Sequence, residues 1–522
     1  MLTPSPSVRP APFLASLLLV ALFTGPGHAG TPPASVLYVN ATTGVDLPGG
    51  GTLTAPLRTI SFALTESLGL TSPVEVRVAA GVYDAALGET FPQLVPARVR
   101  VVGAGTGKTL VTTGSASGAF EFDSNLTGGL PYTDDSGLAR LTLIGDGIGV
   151  EVDAPTFAPA ARPDLRELQL IGFETGIVAF GSKSSAEPSL ANLTFLACGT
   201  GLELGNLDSA HTWNLSDSRF IGCNIGLDAR SGGVPFSNTD TFVDRCRFEG
   251  CALGVKASGS RTTTVHLQDC AIVAGGDACL ASGFFPGTGN VELIRSTVAG
   301  NARGLVGISV GTYRFFLDHT IVWGNAVGYA DFGVVPELKM SAVWSNLQPT
   351  WPGAIDPSNF QLEPFFLDPH SRDYRLSSFS PLVDAGIPTA PQSGVDLRMQ
   401  PRLLDGNGDL IARLDLGAYE FDLVDLTVSG TALLGGVLAL EVTSPAGWVE
   451  LAVYGLAPAD IPLGSLGSLL IQPAGLTSVP QGLLPLPSNP GLAGLEVYLQ
   501  AAGVNPATSA GATSRRVQIE LQ

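Results

Sequence analysis

Seven segments in the middle of the chain repeat one pattern, beginning with LIGFETGIV at 170–178 and FLACGTGLEL at 195–204. The pattern is an apolar residue, two spacers, a Phe, Cys or Asn, two more spacers, and then Gly with an apolar neighbour. Four further segments share it, FIGCNIGLDA (220–229), FEGCALGVKA (248–257), VAGNARGLVG (298–307) and VWGNAVGYAD (322–331), and IVAGGDACLAS (272–282) joins them with Cys279 in the Gly position. A repeat of fixed period is typical of solenoids, in which each unit packs against its neighbours.

The period of this repeat indicates strands rather than helices. Its glycine column advances by 24 to 28 residues per step and runs through Gly176, Gly201, Gly226, Gly254, Cys279, Gly304 and Gly328. Helical repeats and propeller blades have periods of about 34–45 residues, and these segments lack the i, i+3, i+4 spacing of an amphipathic helix. We therefore predict an all-β, right-handed parallel β-helix of about 25 residues per coil, in which each coil rises by about 4.8 Å.

Three further columns agree with strands. The inward column is apolar in every coil and consists of Leu170, Phe195, Phe220, Phe248, Ile272, Val298 and Val322. The small-residue column lies two positions earlier and consists of Leu168, Leu193, Ser218, Cys246, Cys270, Ser296 and Thr320. The polar column precedes it and consists of Arg140, Glu167, Asn192, Asp217, Arg245, Asp269, Arg295 and His319. Alternation of inward and outward side chains is what a strand requires.

The composition excludes two classes of protein. Only 14% of the residues are charged and 45% are hydrophobic, so the chain has enough apolar surface to fold and is not a disordered protein. The 27 Lys and Arg residues face 46 Asp and Glu residues, which gives a formal net charge of −19. Because nucleic-acid binders need a basic face, we expect no nucleic-acid partner.

The N-terminus predicts export. Arg9 precedes an uncharged apolar run at 13–23, which is too short to span a bilayer and suits a signal peptide. Small residues before Ala29 predict cleavage after it, so the signal peptide occupies 1–29. No later segment resembles a transmembrane helix, and we expect a secreted or cell-surface protein.

The six cysteines lie near the repeat columns and leave two interpretations open. Cys198, Cys223 and Cys251 share one column, and Cys246 and Cys270 share another. Export permits disulfides between adjacent coils, but a stack of buried thiols is the favoured interpretation. Asn301 and Asn325 continue the column of Cys251, where stacked amides can bond along the helix axis.

The polar column contains the candidate catalytic residues. Asp217, Arg245, Asp269, Arg295 and His319 alternate in sign on successive coils, and opposite charges on paired strands stabilise by about 0.2–1 kcal/mol each. Such ion pairs are the favoured interpretation. The alternative is that Arg245 or Arg295 is a catalytic base beside a Ca²⁺ site, as in polysaccharide lyases, to which Asp240, Asp244 and Asp269 could contribute.

Two tryptophans are candidates for sugar binding. Trp213 and Trp323 would stack on sugar rings if they were exposed on one face of the coil. The alternative, weighted at least as strongly, is that both side chains pack beneath loops.

A calcium site is predicted in the sequence DGNGDLIARLD at 405–415. Asp405, Asn407 and Asp409 present oxygens at alternate positions, and Asp415 is placed to close the site, as Ca²⁺ prefers. The match to an EF-hand-type loop is incomplete, because Leu410 and Leu416 occupy its Gly and Glu positions. The favoured alternative is a turn in which Asp and Asn bond their own backbone.

The region before the repeat resembles a known family module. Its matching residues are Tyr38-Val39, Gly44, Asp46, Gly51-Thr52, Pro56, RTI (58–60), Ala63-Leu64, VEVRVAAGVYDAALGETFP (74–92) and VRVVGAG (99–105). Residues 38–105 thereby resemble the N-terminal module of bacterial surface proteins in the pectate-lyase-like β-helix superfamily. The resemblance implies that the TI-x-x-AL segment is a short helix capping the β-helix, which occupies 30–345.

Two units are expected after the β-helix. DYRLSSFSPLVDAG (373–386), DLR (396–398), Arg402 and DLGAYE (415–420) resemble the choice-of-anchor Q region of exported β-helix proteins, which gives a unit at 346–422. The resemblance implies surface association. Strand-like runs between Pro and Gly turns predict a β-sandwich-like accessory domain at 423–522.

The expected function is binding or structural, with polysaccharide or a cell-surface glycan as partner. Long faces of a β-helix suit an extended ligand. The alternative is a polysaccharide lyase or glycoside hydrolase, which requires a carboxylate pair or a base with Ca²⁺ ligands in one groove. We expect a monomer and, apart from the calcium above, no cofactor.

Overall fold

The protein is described here from a computed structural model. It describes residues 35–114, 118–123, 131–133, 135–154, 161–181, 187–206, 210–232, 238–284, 287–308, 311–332, 340–351, 356–387, 394–406, 411–421, 423–444, 449–462, 468–472, 477–479, 482–504, 511–514 and 516–521. The predicted signal peptide at 1–29 lies outside these residues.

The fold is an all-β parallel solenoid of about nine turns, each of roughly 26 residues. This confirms the predicted fold class and a coil length close to the predicted 25. Among the described residues, no helix is long and apolar enough to cross a membrane.

A short helix and the first coils form the N-terminal part. The elements are β1 (Ser35–Val39), α1 (Ile60–Ser67), β2 (Val74–Val78), β3 (Gly81–Asp84), β4 (Gln93–Leu94), β5 (Val99–Gly103), β6 (Thr109–Gly114), β7 (Gly118–Asp123), β8 (Gly137–Gly145) and β9 (Ile148–Ala154). The helix begins after Thr59, whose hydroxyl accepts from the Phe62 amide, while the Glu89 carboxylate accepts from the Ile60 amide at 2.7 Å. Anions stabilise a helix N-terminus, and Leu64 packs into the solenoid core. The predicted cap helix is therefore confirmed.

The repeat forms the next 22 strands. They are β10 (Asp164–Ile171), β11 (Thr175–Gly181), β12 (Ser189–Ala191), β13 (Thr194–Leu196), β14 (Thr200–Asn206), β15 (His211–Ser216), β16 (Arg219–Ile221), β17 (Ile225–Ser231), β18 (Thr239–Asp244), β19 (Arg247–Glu249), β20 (Leu253–Gly259), β21 (Thr262–Gln268), β22 (Ala271–Val273), β23 (Asp277–Gly283), β24 (Thr288–Ile294), β25 (Thr297–Ala299), β26 (Arg303–Gly307), β27 (Thr312–Asp318), β28 (Ile321–Trp323), β29 (Val327–Asp331), β30 (Met340–Val343) and β31 (Asn346–Leu347). Within the described residues, these and the earlier strands form a 21-stranded sheet and a ten-stranded sheet. The larger sheet has two rows of strands, which meet at the long strands β8 and β10.

The inward column forms the centre of the core, as predicted. All seven of its residues are at most 2% exposed. The ring of Phe220 stacks on Phe195 at 4.6 Å and on Phe248 at 4.5 Å between centroids. The glycine column makes room for these rings, because a Cβ on Gly176 would lie 2.6 Å from the Phe195 ring.

Six of the eight residues of the polar column lie between strands, which corrects one prediction, while Arg140 and Glu167 lie within β8 and β10. All eight of its residues have positive φ, between 47° and 61°. The chain therefore turns through the left-handed region there, as between β15 and β16 at Asp217. A polar residue before an apolar one fits an outward strand position or a turn equally well, so the sequence pattern did not separate them. We call these residues the corner column.

The small-residue column supplies hydrogen bonds beside each corner. The amide of Leu193 donates to the Ser218 hydroxyl of the next coil at 3.0 Å, and the Ser296 amide donates to the Thr320 hydroxyl at 3.3 Å. The Cys270 amide likewise donates to Ser296. Buried backbone amides need such partners, which explains why small polar side chains occupy this column.

The six cysteines are buried free thiols, as the favoured interpretation predicts. The amide ladder is also present: Asn301 Nδ2 donates to Asn325 Oδ1 at 3.0 Å. One register assignment was wrong, since Cys279 pairs with Val255 and with Leu305 in an inward column. The sequence did not decide between placing Cys279 in the glycine column and placing it in the neighbouring inward column, because the two consecutive glycines Gly275 and Gly276 fit either alignment.

A segment that we call the strap, residues 366–421, covers part of the larger sheet. It contains β32 (Phe366–Asp368), a 3₁₀ helix (Pro369–Ser371) and β33 (Asp373–Leu376). Tyr374 and Tyr419 of the strap pack against Ala271 and Val273 of β22 and Ala299 of β25. The outward positions of these coils are apolar because the strap removes them from water.

The end of the last coil is covered separately. The Leu347 amide donates to the Phe360 carbonyl at 2.9 Å, and the Ser345 amide donates to Asn359 Oδ1 at 2.9 Å. The Leu362 amide donates to Asn346 Oδ1 at 2.8 Å. Residues 356–362 thus satisfy polar groups along the edge of β31.

Antiparallel sheets form the C-terminal part. Their strands are β34 (Asp425–Ser429), β35 (Val437–Thr443), β36 (Val449–Gly455), β37 (Pro458–Pro462), β38 (Ser468–Ile471), β39 (Thr477–Val479), β40 (Gly482–Pro485), β41 (Glu496–Val504), β42 (Gly511–Thr513) and β43 (Val517–Glu520), with a 3₁₀ helix at Pro490–Leu492. Leu426, Leu440 and Leu499 belong to a core of their own. These sheets are compatible with the predicted β-sandwich-like domain, whose boundaries stay a prediction.

Candidate functional site

The alternating charges of the corner column form ion pairs between coils. Arg245 donates to both oxygens of Asp217, at 2.7 and 3.0 Å, and Arg295 donates to both oxygens of Asp269, at 2.9 and 3.0 Å. Although burial opposes the charge of Arg245, hydrogen bonding to Asp217 raises its pKa above the ordinary value. A guanidinium held in its charged form does not accept a proton, and this favours the ion-pair interpretation over a catalytic base.

The strap covers the other two candidate catalytic residues. Arg402, which is 2% exposed, donates to Asp269 at 2.5 Å and to Glu420 at 3.0 Å. It also donates to the backbone carbonyl of Arg295. Asp269 therefore accepts from two arginines beneath the strap and is removed from a ligand approaching from solvent.

Neither predicted tryptophan offers an open face. Trp213 points into the solenoid core and is 0% exposed, so it lacks the exposed ring that stacking on a sugar requires. Trp323 is half-buried and packs beside Leu376, Leu382 and Leu416 under the strap. Packing, the alternative given for both residues, describes them better.

The predicted calcium loop is described only in part. Asn407 and Asp409 lie outside the described residues. Asp405 and Asp415 are buried, and the Asp415 oxygens accept from the amides of Asp384 at 2.7 Å and Phe421 at 2.6 Å. This matches the expected turn, in which carboxylates bond the backbone. Among the described residues no group of three acidic, His or Cys side chains is placed to hold a metal, and calcium binding stays a prediction.

A stacked pair of rings, of which Phe242 is exposed and His266 is half-buried, lies on the opposite side of the corner column from the strap. Phe242 of β18 is 44% exposed, and its ring stacks on His266 of β21 at 4.4 Å between centroids and 7° between planes. The two residues are register partners on adjacent coils. We call this pair the aromatic platform. Both rings point outward because Val243 and Leu267, their neighbours along the strands, point inward.

Polar side chains surround the aromatic platform. His266 Nδ1 lies 2.8 Å from Glu292 Oε2, and its Nε2 lies 3.8 Å from Asp240 Oδ1. Exposed Asn214 is the register partner of Phe242 on the preceding coil. The Phe242 ring, one face of which is covered by His266, is apolar and has donors and acceptors at its rim, which suits a ligand that has one apolar face and many hydroxyls.

One family model matches the chain, the family described as "Protein of unknown function (DUF1565)", over residues 42–143. This family is typical of parallel β-helix proteins. The match covers about a fifth of the chain and includes α1 and the first coils, but not the aromatic platform. No curated protein matches the chain. The resemblances to the pectate-lyase-like superfamily and to the choice-of-anchor Q region stay predictions.

The sequence did contain a signal for the aromatic platform. Val243 of β18 points inward, and strand alternation therefore places its neighbour Phe242 outward. This is evident once the turn at Arg245 is recognised. Of the two tryptophans considered for sugar binding, Trp213 fills the core instead.

Proposed function

We propose that the chain is an exported β-helix protein, secreted or held at the cell surface, that binds polysaccharide through the aromatic platform. The observation that carries this proposal is the exposed Phe242 ring, stacked on His266 and surrounded by polar side chains. An aromatic ring offers a flat apolar surface, which matches the apolar face of a pyranose ring.

The polar rim adds hydrogen bonds that an apolar surface alone lacks. Glu292 and Asp240 flank His266 and present acceptors toward sugar hydroxyls. Coils follow one another about every 4.8 Å, so rows of side chains continue along the solenoid axis. A ligand of several sugar units therefore suits this face better than a monosaccharide.

The binding test uses pull-down and titration with insoluble and soluble polysaccharides, including cellulose, chitin, xylan and dextran. Phe242→Ala should weaken binding of the recognised polymer at least about fivefold, since aromatic contacts contribute about 0.5–1.5 kcal/mol beyond buried area. Phe284→Ala is the matched control, because Phe284 is 55% exposed and makes no ring stack among the described residues. Equal affinity of the wild type and Phe242→Ala, or no binding to any polymer, would contradict the proposal.

A polysaccharide lyase or glycoside hydrolase is the second candidate function. The observation that favours it is the His266 imidazole between two carboxylates, because histidine and carboxylate side chains are common general acids and bases. The same polymers are incubated with the wild type and His266→Gln, with and without Ca²⁺, and new chain ends are measured. If the wild type produces new chain ends and His266→Gln does not, the main function is catalysis rather than binding.

A further inference from the structure

A second, differently charged site lies where the strap meets the larger sheet. This cleft has a volume of about 590 Å³. Its floor comes from the corners and outward positions of three coils, and its wall comes from strap residues 371–375, 397–399 and 419. We call it the arginine cleft, because its lining includes Arg219, Arg245, Arg247, Arg372, Arg375 and Arg398.

The charge of the arginine cleft is opposite to that of the chain. Its six arginines face two lining carboxylates and two more that pair with them from outside the lining, so six positive and four negative charges give the group a formal charge of +2, while the chain carries −19. The four carboxylates are those of Asp217 and Asp373 in the lining and of Asp244 and Glu249 outside it. The carboxylate of Glu249, just outside the lining, is shared by Arg247 and Arg372, at 2.9 Å from each. Positive charge concentrated in a cleft attracts anionic ligands.

Two of the arginines lie side by side on adjacent coils, and the fold does not require two positive charges at these positions. Arg219 of β16 and Arg247 of β19 are register partners on adjacent coils, and like charges directly opposite each other destabilise a sheet. Arg247 is compensated by Glu249 and by the Tyr419 hydroxyl at 3.0 Å. Arg219 is exposed and makes no side-chain hydrogen bond or ion pair with any residue that the structure describes. Residues that lower stability and have no structural role are expected at functional sites, which indicates that Arg219 binds a ligand.

We propose that the arginine cleft binds the anionic groups of an acidic polysaccharide, with Arg219 as the residue that contacts the ligand most directly. Guanidinium groups bind carboxylates and sulfates through two parallel hydrogen bonds. Arg245 shows this geometry toward Asp217 inside the cleft. The inference does not rest on the aromatic platform, since the two sites share no residue.

The experiment measures binding of polygalacturonate, alginate, dextran sulfate and neutral dextran to the full chain at low and at physiological salt. The wild type should bind at least one of the acidic polymers through this cleft. It should not bind neutral dextran there. Arg219→Gln should weaken binding about 5- to 10-fold at low salt, because an exposed charge-assisted contact is partly screened. Tighter binding of the polyuronates would show that the cleft recognises carboxylates, and tighter binding of dextran sulfate would show that it recognises sulfates.

The matched control is Arg314→Gln. Arg314 is an exposed strand arginine without a side-chain partner among the described residues, and it lies outside the cleft. Circular dichroism and melting of both variants show whether each is folded, and neither substitution removes a buried group. Equal weakening by the two variants would indicate diffuse attraction and overturn the proposal, as would unchanged binding by Arg219→Gln. Single-stranded DNA is titrated under the same conditions, and tighter binding of DNA than of every polysaccharide would also overturn the proposal. Phe242→Ala should leave this binding unchanged, so failure here is distinct from failure at the aromatic platform.

Discussion

At the scale of single residues, the left-handed corners show how the solenoid turns without glycine. Arg, Asp, Asn, Glu and His occupy the corner column at positive φ, although the left-handed region costs most residues about 1 kcal/mol or more. Ion pairs between coils, such as Arg245 with Asp217, offset part of this cost and fix which coil follows which.

Phe220 gives the first stability prediction. Its ring lies between two others at 4.6 and 4.5 Å, and it is fully buried. Phe220→Ala should lower the free energy of unfolding by about 3–5 kcal/mol, because the neighbouring glycine column cannot collapse into the cavity. Denaturant unfolding measures the change. Phe242→Ala is the control, since its exposed ring should cost far less, and equal costs for the two variants would place Phe220 outside the core.

At the scale of elements, the strap depends on a buried charged cluster. Arg402 lies between Asp269 of the solenoid and Glu420 of the strap, both buried. Burial raises the pKa of Asp415 to about 7 and that of Glu420 well above its usual range. Asp384 and Asp396 lie nearby and act in the same direction on these two groups. Removing one partner from such a cluster is expected to destabilise more than removing a surface ion pair.

The raised pKa of Asp415 predicts a pH dependence. The unfolded chain releases this proton near pH 4, whereas the folded chain keeps it to about pH 7. Between these values the folded state binds more protons, so the free energy of unfolding should fall as pH rises, by up to about 1.4 kcal/mol per pH unit. Asp415→Asn should reduce this slope.

Denaturant unfolding at pH 4, 5, 6 and 7 measures this slope. The buffers contain chelator, so that Ca²⁺ at the predicted loop does not contribute. Asp356→Asn is a suitable control, because Asp356 is exposed and its pKa is lowered by hydrogen bonds to Ser358. A slope that is the same in the wild type and in Asp415→Asn would show that Asp415 is not buried in its protonated form.

The sequence predicted those elements whose pattern has only one structural meaning. An apolar residue at one point of each coil, as at Leu170 and Phe195, has to be inward, and the structure confirms it. The corner residues were misassigned because a polar side chain is compatible with a strand or a turn. The arginine cleft was not predicted, because it joins Arg219 to Arg372 of the strap, 153 positions later, and single-sequence patterns carry no information on such contacts.

At the scale of the whole molecule, both ends of the solenoid are covered. Helix α1 packs Ile60, Ala63 and Leu64 against the first coils, and residues 356–362 bond along the edge of β31. Bare strand edges are templates for pairing with other chains. The covered ends therefore favour a molecule that does not stack end to end.

This arrangement predicts that the protein is a monomer. Sedimentation equilibrium should give the mass of one chain at all concentrations tested. Leu64→Asp places a charge in the buried face of α1 and should cause self-association or loss of the cap, whereas Thr65→Asp, on the exposed face, should not. A mass that rises with concentration in the wild type would contradict the prediction.

The strap has a consequence for how this protein changes in length during evolution. Its contacts span successive coils, from Arg247 to Tyr419, from Asp269 to Arg402, and from His319 to the Ile387 amide. Duplicating or deleting one coil between two of these contacts would move the later coils by about one strand spacing, 4.8 Å, relative to the strap. Each contact beyond that coil would then be lost. Repeat number is therefore fixed beneath the strap, and gain or loss of whole coils is tolerated only outside it.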